Sequence, residues 1–367
     1  YYGPMELLQR FRFAAFVLAT AAATWPALAQ TQAHATPESE EEDSDDANAA
    51  LTAELFYELL LGEMTASSGD PGTGYNLILD AARRSRDGRL YRRATEIALQ
   101  ARSGESALAA ARAWQQALPQ SREANRYLLR ILVALNRIGE SAAPLRQELA
   151  NAPTRDRIAN IRALPLLYAR ASDKALAARV VRQALEDELS HPAAGPAAWV
   201  AIGRMYFAAD DKARTLEAAG NALALDANDE GAAMLALQLM EAGVAEAEPL
   251  LSRYLTGKPL PEVRLAYARM LLESQRLSDA QAQVQAVTRE HPDMAEAWLI
   301  QATLDLQTGR LAEAESAVQQ FTRLQDGLPA SEQRKHALTQ SYLLQAQIAE
   351  KRGNFAQAES WLNRIED

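Results

Sequence analysis

The chain has 367 residues, of which 48% are hydrophobic and only 6% aromatic, and its formal net charge is −10. Much of the apolar content is alanine, a composition that favours closely packed helices over sheets. The chain contains no cysteine, which excludes disulfides, thiolate catalysis and cysteine-based metal sites.

The first segment has the pattern of a secretory signal peptide. Arg10 and Arg12 precede the apolar run FAAFVLATAAA, and Ala27 and Ala29 then supply the small-x-small pattern of a cleavage site. We therefore expect residues 1–29 to be removed and the mature protein to be periplasmic. The apolar run is short for a bilayer-spanning helix. A retained N-terminal anchor is the alternative, and a lipoprotein would need a cysteine.

Residues 30–50 are polar, and the stretch ESEEEDSDD within them holds seven carboxylates. Such self-repelling sequence does not fold alone, so we expect a disordered acidic linker. A calcium-binding tail is the alternative, but the stretch lacks the glycine and the ligand spacing of an EF-hand loop. Without these charges the rest of the chain is nearly balanced, which gives no argument for nucleic acid as a partner.

From residue 51 onward a short frame recurs. RLSDA at 276–280 is followed 34 residues later by RLAEA at 310–314, and related frames recur at intervals of 32 to 44 residues. Two antiparallel helices approach closely only where the side chain between them is small. The recurrence predicts helix-turn-helix units, and a longer helix or loop near 323–335. The predicted packing residues are Gly74, Ala110, Ala143, Ala177, Thr215, Ala247, Ala280, Ala314 and Ala358.

The stretch WVAIGRMY has the signature of the first helix of such a unit, since Trp199, Gly203 and Tyr206 match W-x2-L-G-x2-Y. On this signature and the period, residues 51–367 resemble the tetratricopeptide repeat family. The resemblance implies an all-α superhelical solenoid of about nine helix-turn-helix units with a concave inner surface. Apolar residues in the last helix predict that more repeats, or a docked partner, follow it.

No catalytic or metal-binding pattern is found. The four histidines do not fall at ligand spacing, and GDPGTG at 69–74 lacks the lysine and hydroxyl of a phosphate loop. We interpret GDPGTG as an inter-helix turn and expect no enzyme activity, cofactor or metal. The arginine-rich segment 83–93 has three interpretations, which are a solvated connection between units, a docking site for an acidic protein, and a nucleic-acid site.

By the register of the family, side chains of each first helix line the concave surface. Arginines there alternate with aliphatic side chains, which suits an extended or helical peptide with apolar anchors and carboxylates. Single residues of this set have the alternative of lying in the core between repeats. The predicted lining is Arg92, Leu99, Arg102, Leu128, Leu132, Arg162, Leu166, Arg170, Val200, Arg204, Phe207, Met234, Leu265, Arg269, Leu272, Leu299 and Leu306.

Residues 51–70 resemble the start of the repeat region in periplasmic tetratricopeptide proteins of proteobacteria. That group includes a lipoprotein adaptor of a carboxyl-terminal processing protease, so the resemblance implies an adaptor that presents cell-wall hydrolases to a serine protease. This chain has no cysteine to acylate. We expect a non-enzymatic scaffold for protein or peptide partners. The alternative is a component of an envelope polysaccharide-export or outer-membrane assembly system.

Overall fold

The computed structural model describes residues 53–329 and 331–366, and the predicted signal peptide (with Ala27 and Ala29) and acidic linker lie outside this part of the chain. The described residues form eighteen α-helices and no strand, so the expected all-α fold is confirmed. Successive helices are taken in nine pairs, called hairpins and numbered 1 to 9, and the two helices pack closely on each other in every pair except the fourth, whose helices pack on the neighbouring hairpins instead. The pairs are α1 (Ala53–Ser67) with α2 (Pro71–Ser85), α3 (Gly88–Gln100) with α4 (Gly104–Ala117), α5 (Arg122–Ala134) with α6 (Ala142–Ala150), α7 (Thr154–Leu167) with α8 (Lys174–Ala184), α9 (Gly195–Ala208) with α10 (Lys212–Leu225), α11 (Glu230–Glu241) with α12 (Glu248–Leu255), α13 (Pro261–Glu273) with α14 (Leu277–Glu290), α15 (Ala295–Gln307) with α16 (Leu311–Asp326), and α17 (Glu332–Lys351) with α18 (Phe355–Glu366).

Short polar side chains begin many of the helices. The Asp173 carboxylate accepts a hydrogen bond from the Leu176 N–H at 2.7 Å, and Asp229 accepts one from the Ala232 N–H at 2.8 Å. These bonds satisfy backbone donors that the first helical turn leaves unpaired. Serine and aspartate in the turns therefore decide where helices such as α8 and α11 begin.

The turn inside each hairpin repeats one backbone geometry. Eight of the nine turns between first and second helices contain a residue with positive φ, and the next residue donates its N–H back to the first helix, as Asp211 does to the Tyr206 carbonyl at 2.9 Å. This is a left-handed helix C-cap, which glycine and asparagine adopt most readily. The eight residues are Gly69, Arg102, Asn136, Asp210, Gly243, Gln275, Gly309 and Gly353.

The turn geometry fixes which residue packs between the helices of a hairpin. Five residues after the positive-φ position lie Gly74, Thr215, Ala280 and Ala314, all of them buried. Ala177 and Ala247 are fully buried as well, and Ala358 is half-buried. At Gly203 on the facing helix, a Cβ atom would lie 2.6 Å from Leu235 Cδ1.

Two predicted packing positions differ in the structure. Five residues after the turn in hairpin 2 is Ala107, and Ala110 lies one turn further on the same buried face of α4. In hairpin 3 the corresponding residue is Ser141, which is fully buried, whereas Ala143 is exposed. The prediction for Ala143 is wrong because the second helix begins there with a 3₁₀ turn, Ile138–Ser141, which places the packing residue before α6.

The core runs through the array as successive clusters. One cluster joins hairpins 5 to 8 around Leu223, Leu239 and Tyr254, and another joins hairpins 3 to 5 around Ile161, Tyr168 and Ile202. Each hairpin therefore buries its apolar face against its neighbours. The long helices α16, with 16 residues, and α17, with 20, account for the 44-residue interval near the end of the chain.

Candidate functional site

Most arginines of the segment 83–93 form ion pairs with carboxylates of the same chain. Five of its six arginines lie within ion-pairing distance of a carboxylate, and Arg86 is the one without such a partner in the described part of the chain. Arg93 Nε lies 2.6 Å from Glu63 Oε1, and the hydrogen bond from Arg93 lowers the pKa of Glu63 below its usual value. Because the pairs of Arg92 and Arg93 join hairpins 1, 2 and 3, the segment is a charged connection between repeats and offers few free guanidinium groups.

A different set of arginines has no partner among the described residues. Arg130 on α5, Arg162 on α7 and Arg204 on α9 are exposed and make no ion pair or side-chain hydrogen bond within that part of the chain. Leu166 lies one helical turn after Arg162, and 81% of its surface is exposed. We call these residues, together with Arg170 and the exposed Met234 on α11, the A-face, because all six belong to the first helices or the turns that follow them.

The A-face contains a cavity of about 530 Å³. Of the predicted lining, Arg162, Arg204 and Met234 border it with exposed side chains, whereas Val200, which also borders it, is a core residue with 6% of its surface exposed. The remaining lining comes from α9, from the N-terminus of α11 and from the turn before α11, with no contribution from the helical part of a second helix. First helices of three consecutive hairpins thus build one recess.

The other predicted lining residues have different surroundings. Arg92 pairs with Glu123 at 3.2 Å, and Arg269 pairs with Glu296, so neither guanidinium is free. Arg102 is the positive-φ residue of the turn in hairpin 2. Leu99 is exposed, and Phe207, Leu272 and Leu299 are half-buried.

Four leucines of the predicted lining are core residues. Each has at most 6% of its surface exposed, so the prediction that they contact a partner is wrong for Leu128, Leu132, Leu265 and Leu306. Leu128 and Leu132 border a second cavity, of about 280 Å³, whose other walls are α4 and α6. Their side chains therefore point toward the second helices. The prediction failed because the register assumed for α5 was two residues away from the observed one.

Arg130 is the A-face residue that the sequence analysis missed. It lies six residues before Asn136, as Arg204 lies six residues before Asp210 and Arg269 six before Gln275. Counting back from the turn residue, rather than from an assumed signature in the first helix, would have found it. Asparagine tolerates positive φ better than most residues, so Asn136 carried that signal.

No metal or catalytic cluster is evident in residues 53–329 and 331–366. These residues contain no group of three or more His, Asp and Glu side chains arranged to hold a metal ion. His191 Nδ1 accepts hydrogen bonds from the N–H groups of Ala193 and Ala194, at 3.2 Å each, and so closes a turn. Within the same residues, no helix combines the length and the apolar character needed to span a membrane.

Part of the chain matches a known repeat family, and solved structures resemble the chain at low similarity. Residues 265–329, which cover hairpin 8 and most of hairpin 7, match the family model for the tetratricopeptide repeat. Among solved structures, PilW, described as a widely conserved type IV pilus biogenesis factor, is 17% identical over 55% of this chain and 91% of its own, with a TM-score of 0.27. Pseudomonas aeruginosa PilF is 17% identical over 68% of this chain and 95% of its own, with a TM-score of 0.28. No curated protein sequence matches the chain. The chain has a tetratricopeptide-repeat-like fold.

Proposed function

We propose that the chain is a non-enzymatic scaffold that binds protein or peptide partners on the A-face. The observation that carries the proposal is a set of guanidinium groups that have no partner among the described residues. Arg162 and Arg204 share one cavity, and Arg130 lies at the same distance from its turn residue as Arg204 does. The exposed Leu166 lies one helical turn after Arg162. Guanidinium groups pair with carboxylates through two parallel hydrogen bonds, and an exposed leucine provides an apolar anchor. Helical-repeat proteins use extended surfaces of this kind for protein recognition.

The contrast with other arginines supports a binding role for this set. Arg83, Arg93 and Arg137, among others, have carboxylate partners within the fold. Arg162 and Arg204 instead border one recess, and neither forms an ion pair with a carboxylate of the described residues. Groups that contribute nothing to internal pairing and share one recess are available to a partner.

We further propose that the scaffold acts after export to the periplasm, as an adaptor that brings a processing serine protease together with cell-wall hydrolases. The signal-peptide pattern of residues 1–29 supports export, and the resemblance of residues 51–70 to periplasmic adaptors supports the protease partnership. If this is correct, adding the purified protein to the protease accelerates cleavage of a hydrolase substrate. An unchanged cleavage rate would remove the adaptor role and leave the scaffold role standing.

Site-specific photocrosslinking tests the scaffold role directly. A photoreactive benzoylphenylalanine replaces Leu166 on the A-face or, as the control, Arg179, an exposed residue on α8 in the same hairpin. We expect discrete protein adducts after irradiation of cells that carry the probe at 166, and none with the probe at 179. Equal adducts at both positions, or none at either, would contradict the proposal.

A further inference from the structure

We propose that the A-face cavity selects peptide segments that carry an acidic and a basic group together. The acidic group pairs with Arg162 and Arg204, which we call the arginine wall, and the basic group pairs with three other lining residues, Asp226, Asp229 and Glu230, which we call the acidic wall. This inference rests on the proposed scaffold function and specifies the chemistry of its ligand. A site that attracted acidic segments alone would need only the arginine wall.

The acidic wall is fixed in place by the backbone. Asp226 accepts a hydrogen bond from the Asn228 N–H at 2.9 Å, and Asp229 caps α11 through the Ala232 N–H at 2.8 Å. Each bond uses one carboxylate oxygen and leaves the second available. Glu230 is exposed at the start of α11 and makes no ion pair or side-chain hydrogen bond within the described residues.

The two charged walls do not neutralise each other. No ion pair of 4.0 Å or less joins Arg162 or Arg204 to a carboxylate of the described residues. The helices α9 and α11 that carry most of the lining pack closely, since a Cβ atom at Gly231 would lie only 2.8 Å from Val200 Cγ1. The cavity therefore keeps opposite charges separated and ready to pair with a ligand.

This arrangement discriminates between ligands by charge. A purely acidic segment pairs with the arginines but places its remaining charge near three carboxylates, and like charges held together oppose binding. A purely basic segment meets the reverse penalty at the arginines. A segment with both signs pairs with both walls at once.

The site fits a peptide better than a free amino acid or an apolar small molecule. A cavity of 530 Å³ has the size of a ligand pocket, but typical small-molecule pockets of about 300–1,000 Å³ are mostly apolar. Five of its eleven lining residues are charged. The exposed Leu166 lies one helical turn after the cavity residue Arg162, so a peptide can continue from the cavity along α7.

Selection from a random library tests this chemistry without a known partner. The probe is a displayed library of random dodecapeptides, panned on the full chain and on two variants. The first variant neutralises the acidic wall with Asp226→Asn, Asp229→Asn and Glu230→Gln, where asparagine still caps the helix. The second carries Arg162→Gln and Arg204→Gln. Matched controls are Glu217→Gln and Arg179→Gln on second helices, and circular dichroism checks that every variant is folded.

We expect peptides enriched on the unmodified chain to contain both an acidic and a basic residue. On the neutral-acid variant, the preference for the basic residue falls about tenfold, whereas the preference for the acidic residue remains; the arginine variant gives the reverse result. If the enriched peptides carry acidic residues only, and neutralising the acidic wall does not change their enrichment, this inference is overturned and the scaffold proposal stays intact. Failure of any peptide to enrich on the unmodified chain, or enrichment that no A-face substitution changes, contradicts both.

Discussion

Close contacts at single residues hold the helices of each hairpin together. A Cβ atom at Gly74 would lie 2.7 Å from the Ala66 backbone nitrogen and 2.7 Å from the Gly62 carbonyl oxygen. Backbone atoms cannot move aside as a flexible side chain can. We expect Gly74→Ala to lower the free energy of unfolding by about 1–3 kcal/mol, the usual cost of overpacking.

Gly220 provides the matched control for that substitution. It lies in α10, and a Cβ atom there would meet nothing closer than Leu250 Cδ2 at 3.7 Å. Because alanine is the better helix former, Gly220→Ala should stabilise the protein by up to about 1 kcal/mol. Urea unfolding followed by circular dichroism measures both variants. Equal effects from the two substitutions would contradict the assigned packing.

Backbone strain in the turns gives a second prediction. Gln275 has a φ of 59°, in the left-handed region, and its side chain is exposed without a hydrogen bond to the described residues. A non-glycine residue there costs about 1 kcal/mol or more. Gln275→Gly should therefore raise the free energy of unfolding by about 0.5–1 kcal/mol. A lower urea midpoint for Gln275→Gly than for the unmodified chain would show that the side chain makes a stabilising contact.

Local sequence identified some functional positions and misplaced others, for physical reasons. Arg162 and Arg204 were found because the signature around Trp199 fixes the register of hairpin 5 and the neighbouring hairpin follows it. Arg130 was missed because α5 lacks that signature. Whether an arginine is free also depends on distant partners, since Glu123, which pairs with Arg92, lies 31 residues further along the chain.

At the scale of the helices, the recurring Arg-Leu frame explains how hairpins are joined. Arg276 Nη1 lies 2.5 Å from Glu248 Oε1 in the preceding hairpin, and Arg137 Nη2 lies 3.1 Å from Glu105 Oε2 in the hairpin before it. Arg310 in turn donates to Gln281. In these three hairpins, the arginine that precedes the second helical segment therefore links its hairpin to the previous one.

The link at Glu248 predicts a dependence of stability on pH. Hydrogen bonds from Tyr267 and Arg276 lower the pKa of Glu248 below its ordinary value of 4.5, while burial together with Glu248 raises the pKa of Tyr267 to about 12. A carboxylate with a lowered pKa stabilises the fold above its unfolded pKa, and this contribution is lost as the pH falls through the folded pKa.

Glu248→Gln tests that dependence. At pH 7 we expect the variant to be less stable by about 1 kcal/mol or less, because both partners of the ion pair are partly exposed. The difference in stability between the two proteins should shrink between about pH 5 and pH 3, the usual titration range of a glutamate, because Glu248 of the unmodified chain becomes protonated there. Urea unfolding at a series of pH values measures the difference. A difference that is constant over this range would exclude the ionised Glu248 as its cause.

The hairpins themselves were predictable from sequence, because small residues and turn residues recur with the repeat. The exceptions are local. A 3₁₀ turn shifts the packing position to Ser141, and the proline inside α7, Pro165, stands where hairpin 5 has Gly203. Neither departure follows from the period, since each depends on how one helix begins or bends against its neighbour.

At the scale of the whole array, each hairpin depends mainly on its neighbours. Ile348 on α17 packs in the same cluster as Ala314 and Val318 on α16, and this cluster does not extend to the first hairpins. A chain that ends at residue 329 should therefore retain the helices of hairpins 1 to 8, with a lower unfolding midpoint because α16 loses its cover. Far-ultraviolet circular dichroism measures this, and collapse of the helical signal throughout the chain would contradict a repeat architecture.

The central claim is that a partner binds to the unpaired arginines of the A-face, and one comparison tests it most directly. The triple variant Arg130→Gln, Arg162→Gln and Arg204→Gln is compared with a control triple, Arg146→Gln, Arg179→Gln and Arg289→Gln, whose arginines are exposed and unpaired on second helices. Both lose the same charge. The partner is the protein identified by crosslinking at position 166. Quantitative mass spectrometry then measures how much of this partner co-purifies with each triple variant. We predict a loss of about tenfold or more for the A-face triple, corresponding to 1.4 kcal/mol, and near-normal recovery with the control. Equal recovery with the two triples would contradict the claim.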